Sequence, residues 1–278
     1  MKHIQLINLR VALAALCSMM LITACQKMDR PSLGKYPVDS NPPGGPLKFY
    51  VAFDLGSTDS IRAFPGVDND ATFADGVAGK GYQGSPDSYI QYSKPNDFGR
   101  VTSFTVAFWM KKSPQAAGAG TNFVFGLNTS RDIWTNEELF FEFEDAGQST
   151  ADSAAGKLYI QDQWFEYTGV KRLPKVLDNT WHHLAFTYDE TSSTLVTYLD
   201  GQEYTALPAG FGSVMNNGAA RGALSFTDVS GFTLGGAGET AHGNNSWMGN
   251  FDGEIDQFRL YGKAISASDV AALFAGKE

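Results

Sequence analysis

The chain has 278 residues, 43% hydrophobic and 18% charged, with thirty glycines and twenty phenylalanines, a balance that supports a packed strand-rich core and excludes a disordered chain. Its formal net charge is −9, and the first 24 residues hold two cations, Lys2 and Arg10, and no acids, so a chain beginning at Cys25 carries −11. Such a surface repels phosphate backbones and anionic lipid, which excludes nucleic acid as an expected partner and leaves neutral glycans, cations and basic protein patches.

Residues 1–24 predict a secretory signal. Lys2 and Arg10 precede an apolar run from Val11 through Leu21, which ends in small residues. The run falls short of the about 20 apolar residues that a spanning helix needs. Its ending, Ile22-Thr23-Ala24-Cys25, resembles the lipobox of bacterial lipoproteins, which implies acylation of Cys25 as the first residue of the mature chain. Each buried methylene of an acyl chain contributes roughly 0.8 kcal/mol, so several chains on one residue hold firmly. Gln26-Lys27-Met28-Asp29-Arg30 is similar to the charged tag of surface lipoproteins in Bacteroidetes, with one acid where that pattern has two or three. Residues 25–46 then collect six prolines and glycines beyond Pro31 and Gly34, the composition of a solvated tether. The expected location is the outer membrane, lipid-anchored and exposed at the cell surface. The other cysteine is Cys17, so nothing beyond residue 25 can form a disulfide or a thiolate metal site.

From Leu47 to the end, strand signals recur with turns between them, and one domain is expected over 47–278. Strands are predicted at 47–53, 88–92, 103–111, 122–127, 138–144, 157–167, 181–188, 193–199, 232–235 and 253–261. In 103–111, Phe104, Val106, Phe108 and Met110 share one face, and Thr105, Ala107 and Trp109 the other. Asp200-Gly201 after Leu199 is a hairpin signal, because that turn needs positive φ. Ser266-Ala267-Ser268-Asp269 reads as a capping box for a short C-terminal helix ended by Gly276. Many short strands at regular spacing predict an all-β antiparallel sandwich.

Four segments carry a family resemblance. Trp181-His182-His183-Leu184-Ala185, followed by Tyr198-Leu199-Asp200-Gly201, resembles the central hairpin of laminin-G-like domains of the concanavalin-A-like lectin/glucanase superfamily. Phe104-Thr105-Val106-Ala107-Phe108-Trp109 resembles its Phe-Thr-x-x-x-Trp strand, Gly253–Tyr261 its closing strand, and the helix after Ala264 its terminal segment. The resemblance implies a jelly roll over 47–278. It leaves function open, since such sandwiches include lectins, glycanases, lyases and adhesion modules.

Glucanases of this fold use Glu-x-Asp-x-x-Glu on one strand, with carboxyls about 5.5 Å apart. Glu254-Ile255-Asp256 matches the first half, but Gln257, Phe258 and Arg259 follow it. Glu142 and Glu144 share a strand face without completing the pattern. His182 and His183, adjacent in a strand, point to opposite faces and cannot share one metal; His183 is expected to be a hydrogen-bonded structural residue. The resemblance also implies a Ca²⁺ joining the first and last strands. Asp256, placed with Phe258 and Leu260, is a candidate ligand, with Asp54 and Asp59 as partners. The alternative for Asp256, that it accepts backbone hydrogen bonds without a metal, stays open.

Glycan sites stack aromatic faces on sugar rings and hold hydroxyls with amides and acids. Candidates are Trp164 and Tyr167 in the aromatic and polar segment 157–167, Trp134 in a connecting segment, and Asn245 and Trp247 in a polar loop. Trp164 and Phe165 cannot share a strand face, so one of them points away from the core. Trp109 and Trp181 are expected to pack. The reading is a non-catalytic surface lipoprotein binding glycan in a polysaccharide-capture system, beside an outer-membrane glycan transporter and its lid lipoprotein. The alternatives are a protein-interaction subunit or adhesion module, and a glycoside hydrolase or lyase.

Overall fold

The structure is a computed structural model and describes residues 44–115, 120–129, 138–144, 149, 152–237 and 248–277. Its strands are β1 (Leu47–Val51), β2 (Val67–Asn69), β3 (Thr72–Asp75), β4 (Lys80–Gln83), β5 (Tyr89–Tyr92), β6 (Phe104–Lys111), β7 (Thr121–Thr129), β8 (Leu139–Phe143) and β9 (Gly156–Ile160). They continue as β10 (Gln163–Tyr167), β11 (Trp181–Asp189), β12 (Thr194–Leu199), β13 (Gln202–Glu203), β14 (Met215–Asn216), β15 (Ala219–Ala220), β16 (Val229–Leu234), β17 (Met248–Asn250) and β18 (Glu254–Tyr261). A helix, α1 (Ala267–Ala275), follows. The first sheet runs β13-β12-β11-β6-β18-β4-β3 with β1 also on β18; the second runs β10-β9-β8-β7-β16-β5-β2 with β17 on β7. Both Trp181–Asp189 and Glu254–Tyr261 are internal strands, as the all-β sandwich requires.

Alternation explains the core. Phe104, Val106, Phe108 and Met110 of β6 are all fully buried between the sheets, each contributing about 1.5–3 kcal/mol for the larger side chains. Phe108 stacks on Phe258 of β18 at 5.7 Å, and Phe125 of β7 meets both rings edge-on. Phe49 and Phe232 extend the same ring cluster. The opposite face of β6 is also closed: Trp109 stacks on Phe274 of α1 at 5.3 Å, while Ala107, Ala185 and Tyr198 pack with Ile265 and Val270. Ser266 and Asp269 form the expected capping box. Trp109 is therefore a packing residue, as expected.

Several strand boundaries differ from expectation. Segment 157–167 is two strands, since Gln161 takes φ 56° and Gln161-Asp162 turns the chain back. The first strand ends at Val51, because Phe53 adopts φ 64°. Strands β2, β3, β4 and β17, of three or four residues each, carry too few apolar positions to show a period. Asp200 and Gly201 take φ 49° and 75° between β12 and β13, the conformation that the Asp-Gly pair predicts.

Candidate functional site

Strands β8, β9 and β10 form one edge of the second sheet, and their outward faces build two ladders. Pairing sets Phe140 opposite Tyr159 and Tyr159 opposite Trp164; one step along, Glu142 is opposite Lys157 and Lys157 opposite Glu166. Because side chains alternate, Phe141, Phe143, Leu158, Ile160, Phe165 and Tyr167 enter the core, which leaves the ladder residues on the other face.

The aromatic ladder is continuous. Phe140 and Tyr159 stack at 5.1 Å, Tyr159 and Trp164 lie 4.9 Å apart, and Phe123 of β7 joins Phe140 at 5.2 Å. A bulge in β7 between Phe123 and Phe125 turns Phe123 outward while Val124 and Phe125 stay in the core. Ala237 and Met248 complete this outer cluster, with Trp164 half-buried at its rim.

The charged ladder is organised around Lys157, which pairs with Glu144 and lies 3.8 Å from Glu166. Its ammonium sits 5.4 Å over the Trp164 ring. Glu142 is only 2% exposed, and its Oε2 accepts no hydrogen bond. Burial, reinforced by the Glu144 charge, pushes its carboxyl up to about 8. A carboxyl held up in this way keeps its proton to higher pH than an exposed one. The β9–β10 turn is fixed by Gln161 Nε2 donating to the Ser225 carbonyl at 2.6 Å and by Arg221, which pairs with Asp162.

Trp164 thus occupies an outward face, as its alternation with Phe165 predicts. Tyr167 does not. It is wholly buried, and its hydroxyl lies 2.6 Å from Thr197 Oγ1, so no ring face is open to a sugar. Trp134, Asn245 and Trp247 and the acylation candidate Cys25 lie outside the described residues. Phe140, Tyr159 and Glu142 were not chosen from sequence as ligand residues. The available signal was the alternation within each of 138–144 and 157–167, which does not by itself pair the two.

The acidic candidates divide between two places. Asp54 and Asp256 flank the turn 76–79: Asp54 Oδ1 accepts from Lys80 N at 2.8 Å, and Asp256 accepts from Ala78 N and Gln257 N at 3.2 and 2.7 Å. The turn is pressed so closely that a Cβ on Gly76 would lie 2.3 Å from Asp256 Oδ2. Asp256 is not on the face of Phe258 and Leu260. A bulge between Asp256 and Arg259, with Gln257 at φ 48°, lets Ile255, Phe258 and Leu260 all enter the core. Burial raises the Asp256 carboxyl to about 6, and the Asp54 charge adds to the rise. Asp59 has other partners: the backbone N–H groups of Tyr50, Ile61 and Arg62 and the Asn96 amide all donate to it. Among the described residues no three His, Cys, Asp or Glu side chains are grouped as metal ligands. Hard oxygens suit Ca²⁺, and Asp54 with Asp256 would supply two of the six to eight that it takes.

His183 is buried with neither ring nitrogen hydrogen-bonded, a correction to the expectation of a bonded histidine. It packs edge-on to Trp109 at 5.3 Å. Glu254, the first residue of the incomplete glucanase pattern, is ion-paired with Lys111 at 2.8 Å. Among the described residues, no helix is long and apolar enough to cross a membrane.

Residues 83–213 match the family model described as concanavalin A-like lectin/glucanases superfamily. No curated protein matches the sequence. Solved structures with similar folds include domain 4 of AbnA, a GH43 extracellular arabinanase from Geobacillus stearothermophilus, in complex with arabinotriose. That match has a TM-score of 0.54 and 22% identity, and covers 82% of this chain and 97% of the other. A Trypanosoma rangeli sialidase in complex with 2,3-difluoro-KDN gives 0.53 and 17%, covering 87% of this chain and 36% of the other. The binding domain of botulinum neurotoxin DC in complex with rat synaptotagmin II gives 0.52 and 9%, covering 83% and 51%. These likenesses show the fold.

Proposed function

Because residues 83–213 match the family model of the concanavalin A-like lectin/glucanases superfamily, we propose that the protein binds glycan without catalysis, as a surface lipoprotein anchored through Cys25 in a polysaccharide-capture system. The observation that carries this reading is the pair of ladders on the outer face of the second sheet. A half-buried Trp164 ring offers a stacking surface, and Lys157 and Glu166, part-exposed and one step away, can meet hydroxyls. Ala237 and Met248 belong to this cluster, and Trp247 and Asn245 are close to Met248 in the chain. AbnA domain 4, solved with arabinotriose, adds support for sugar as the ligand class. Affinities of millimolar to micromolar, roughly −4 to −8 kcal/mol, are expected. A transporter and its lid lipoprotein are the proposed partners, and Ca²⁺ at Asp54 and Asp256 a structural ion.

Purified chain lacking residues 1–25 is expected to retain glycans on a broad array. No retention, with or without Ca²⁺, would end the proposal.

One observation favours a second reading, hydrolysis. Burial pushes the Glu142 carboxyl up, whereas Glu144, two residues on, is ion-paired with the Lys157 that also faces Glu142. Carboxyls that differ in this way are what an acid and its partner require. Release of reducing ends from a retained glycan, abolished by Glu142→Gln with retention intact, would establish that reading over the first.

A further inference from the structure

The negative net charge of the chain conceals a local reversal. Where the described chain begins, Lys48, Arg62, Lys94 and Arg100 border two adjoining cavities of about 520 and 410 Å³, which share Arg62, Asp97 and Arg100. Gly44 lines the larger one, and Lys48 Nζ lies 3.5 Å from its carbonyl oxygen. Arg62 pairs with Asp97, and the Lys94 ammonium sits 4.9 Å over the Phe64 ring. Among the described residues, four cations thus face one lining carboxylate.

The setting is built. The buried Asp59 carboxylate takes the N–H of Tyr50 in β1, the N–H groups of Ile61 and Arg62, and the Asn96 amide. It thereby ties the 61–62 turn and the 3₁₀ helix Asn96–Arg100 to the sheet, and holds Arg62, Asp97 and Arg100 in relation to one another. Counting Asp59 as charged still leaves the region with more positive than negative groups. Salt screens charges beyond about 8 Å at physiological ionic strength, so the local groups and not the distant acids set the potential in the cavity.

We propose that this pocket binds the phosphate of an anionic lipid headgroup and seats this end of the domain on the membrane surface. Two observations select a lipid surface: the charge, and the position at Gly44, where the preceding chain joins. Eighteen residues separate Cys25 from Gly44, so the pocket lies close along the chain to the proposed anchor. The placement beside the membrane rests on the surface-lipoprotein reading; the charge of the pocket does not. Arg62 and Arg100 offer planar forks for phosphate oxygens, and Lys48 and Lys94 add mobile charge.

The test uses a chain starting at Gln26, since Asn41–Glu278 form a compact unit of their own. It is sedimented with vesicles of phosphatidylcholine alone, or mixed with phosphatidylglycerol. Binding to the mixed vesicles only is expected, weakened about fivefold for each cation removed. Lys48→Gln with Lys94→Gln leaves the Asp59 network intact, so its melting temperature should match the parent while vesicle binding drops. Equal vesicle binding by that variant would overturn the assignment of the pocket, as would binding to neither vesicle. Saturable binding of inorganic phosphate without vesicle binding would make free phosphate the ligand and overturn the lipid. Since this chain lacks Cys25, anchoring is read separately, from membrane fractionation of the full chain and its Cys25→Ser variant.

Discussion

His182 and His183, consecutive in β11, are pushed in opposite directions by their surroundings. His182 Nδ1 lies 2.9 Å from Asp200 Oδ2 and Nε2 lies 3.1 Å from Asp178 Oδ1, and the hydrogen bond to Asp200 leads in raising its pKa. Burial, aided by Arg259, lowers that of His183 to about 4. His182 adds stability that is full below the unfolded value near 6.5 and lost as pH rises through its folded value. His183 acts in the other sense: stability is lost as pH falls from about 6.5 to about 4. Asp200→Asn keeps an acceptor for His183 N and acts chiefly through His182, while also removing a charge that raises the His183 value. It should cost about 0.5–1 kcal/mol at mildly acidic pH, after screening of the partly exposed Asp200, and less at alkaline pH. Thermal melts at the two pH values check this, and equal losses would refute it.

Glu142 predicts a second pH dependence. Its folded value near 8 exceeds the unfolded one near 4.3. Its contribution is therefore full below the unfolded value and lost as pH rises through about 8, at no more than about 1.4 kcal/mol per pH unit. Glu142→Gln should flatten that slope and stabilise the fold at pH near 8. Denaturant midpoints measured across this range would show it; an unchanged slope would exclude the buried acid.

Trp164 and Tyr167 lie in the same strand and separate binding from stability. Trp164→Ala should lower glycan retention by about tenfold, equivalent to about 1.4 kcal/mol. Its melting loss should be smaller than that of a fully buried ring, since Trp164 packs on Phe140 and Tyr159 but is half-buried. Tyr167→Phe removes the bond to Thr197 and should cost about 1 kcal/mol of stability, with retention unchanged. The reverse pattern on the array and in melts would place the binding surface elsewhere.

The calcium proposal is tested at Asp256. Added Ca²⁺ should raise the melting temperature of the parent, by about 2.7 kcal/mol of stabilisation at a hundredfold excess over Kd, and leave Asp256→Asn unmoved. An identical shift in both, or none in the parent, would remove the ion from this place.

Sequence made the sandwich legible where alternation is long. Segment 103–111 assigned its two faces correctly, and Asp200-Gly201 and Ser266–Asp269 marked their turn and cap. It failed where one residue shifts the phase. The bulge at Gln257 moved Asp256 off its expected face, and the turn at Gln161 split one predicted strand into a hairpin. Tyr167 looked available because composition marks an aromatic segment without saying which ring points inward. The ladders needed cross-strand register, which joins residues from two separate segments and leaves no trace in either alone.

The C-terminal helix gives the molecule a back. With Phe274 on Trp109 and the Lys277 ammonium 4.8 Å over the same indole, the chain ends against the outer side of the first sheet, the side turned away from the ladders. An affinity handle or fluorophore fused after the last residue would therefore stand behind the molecule. Immobilising the protein through it should leave the half-buried Trp164 edge of the second sheet free, whereas coupling through lysines would risk capturing Lys157 itself.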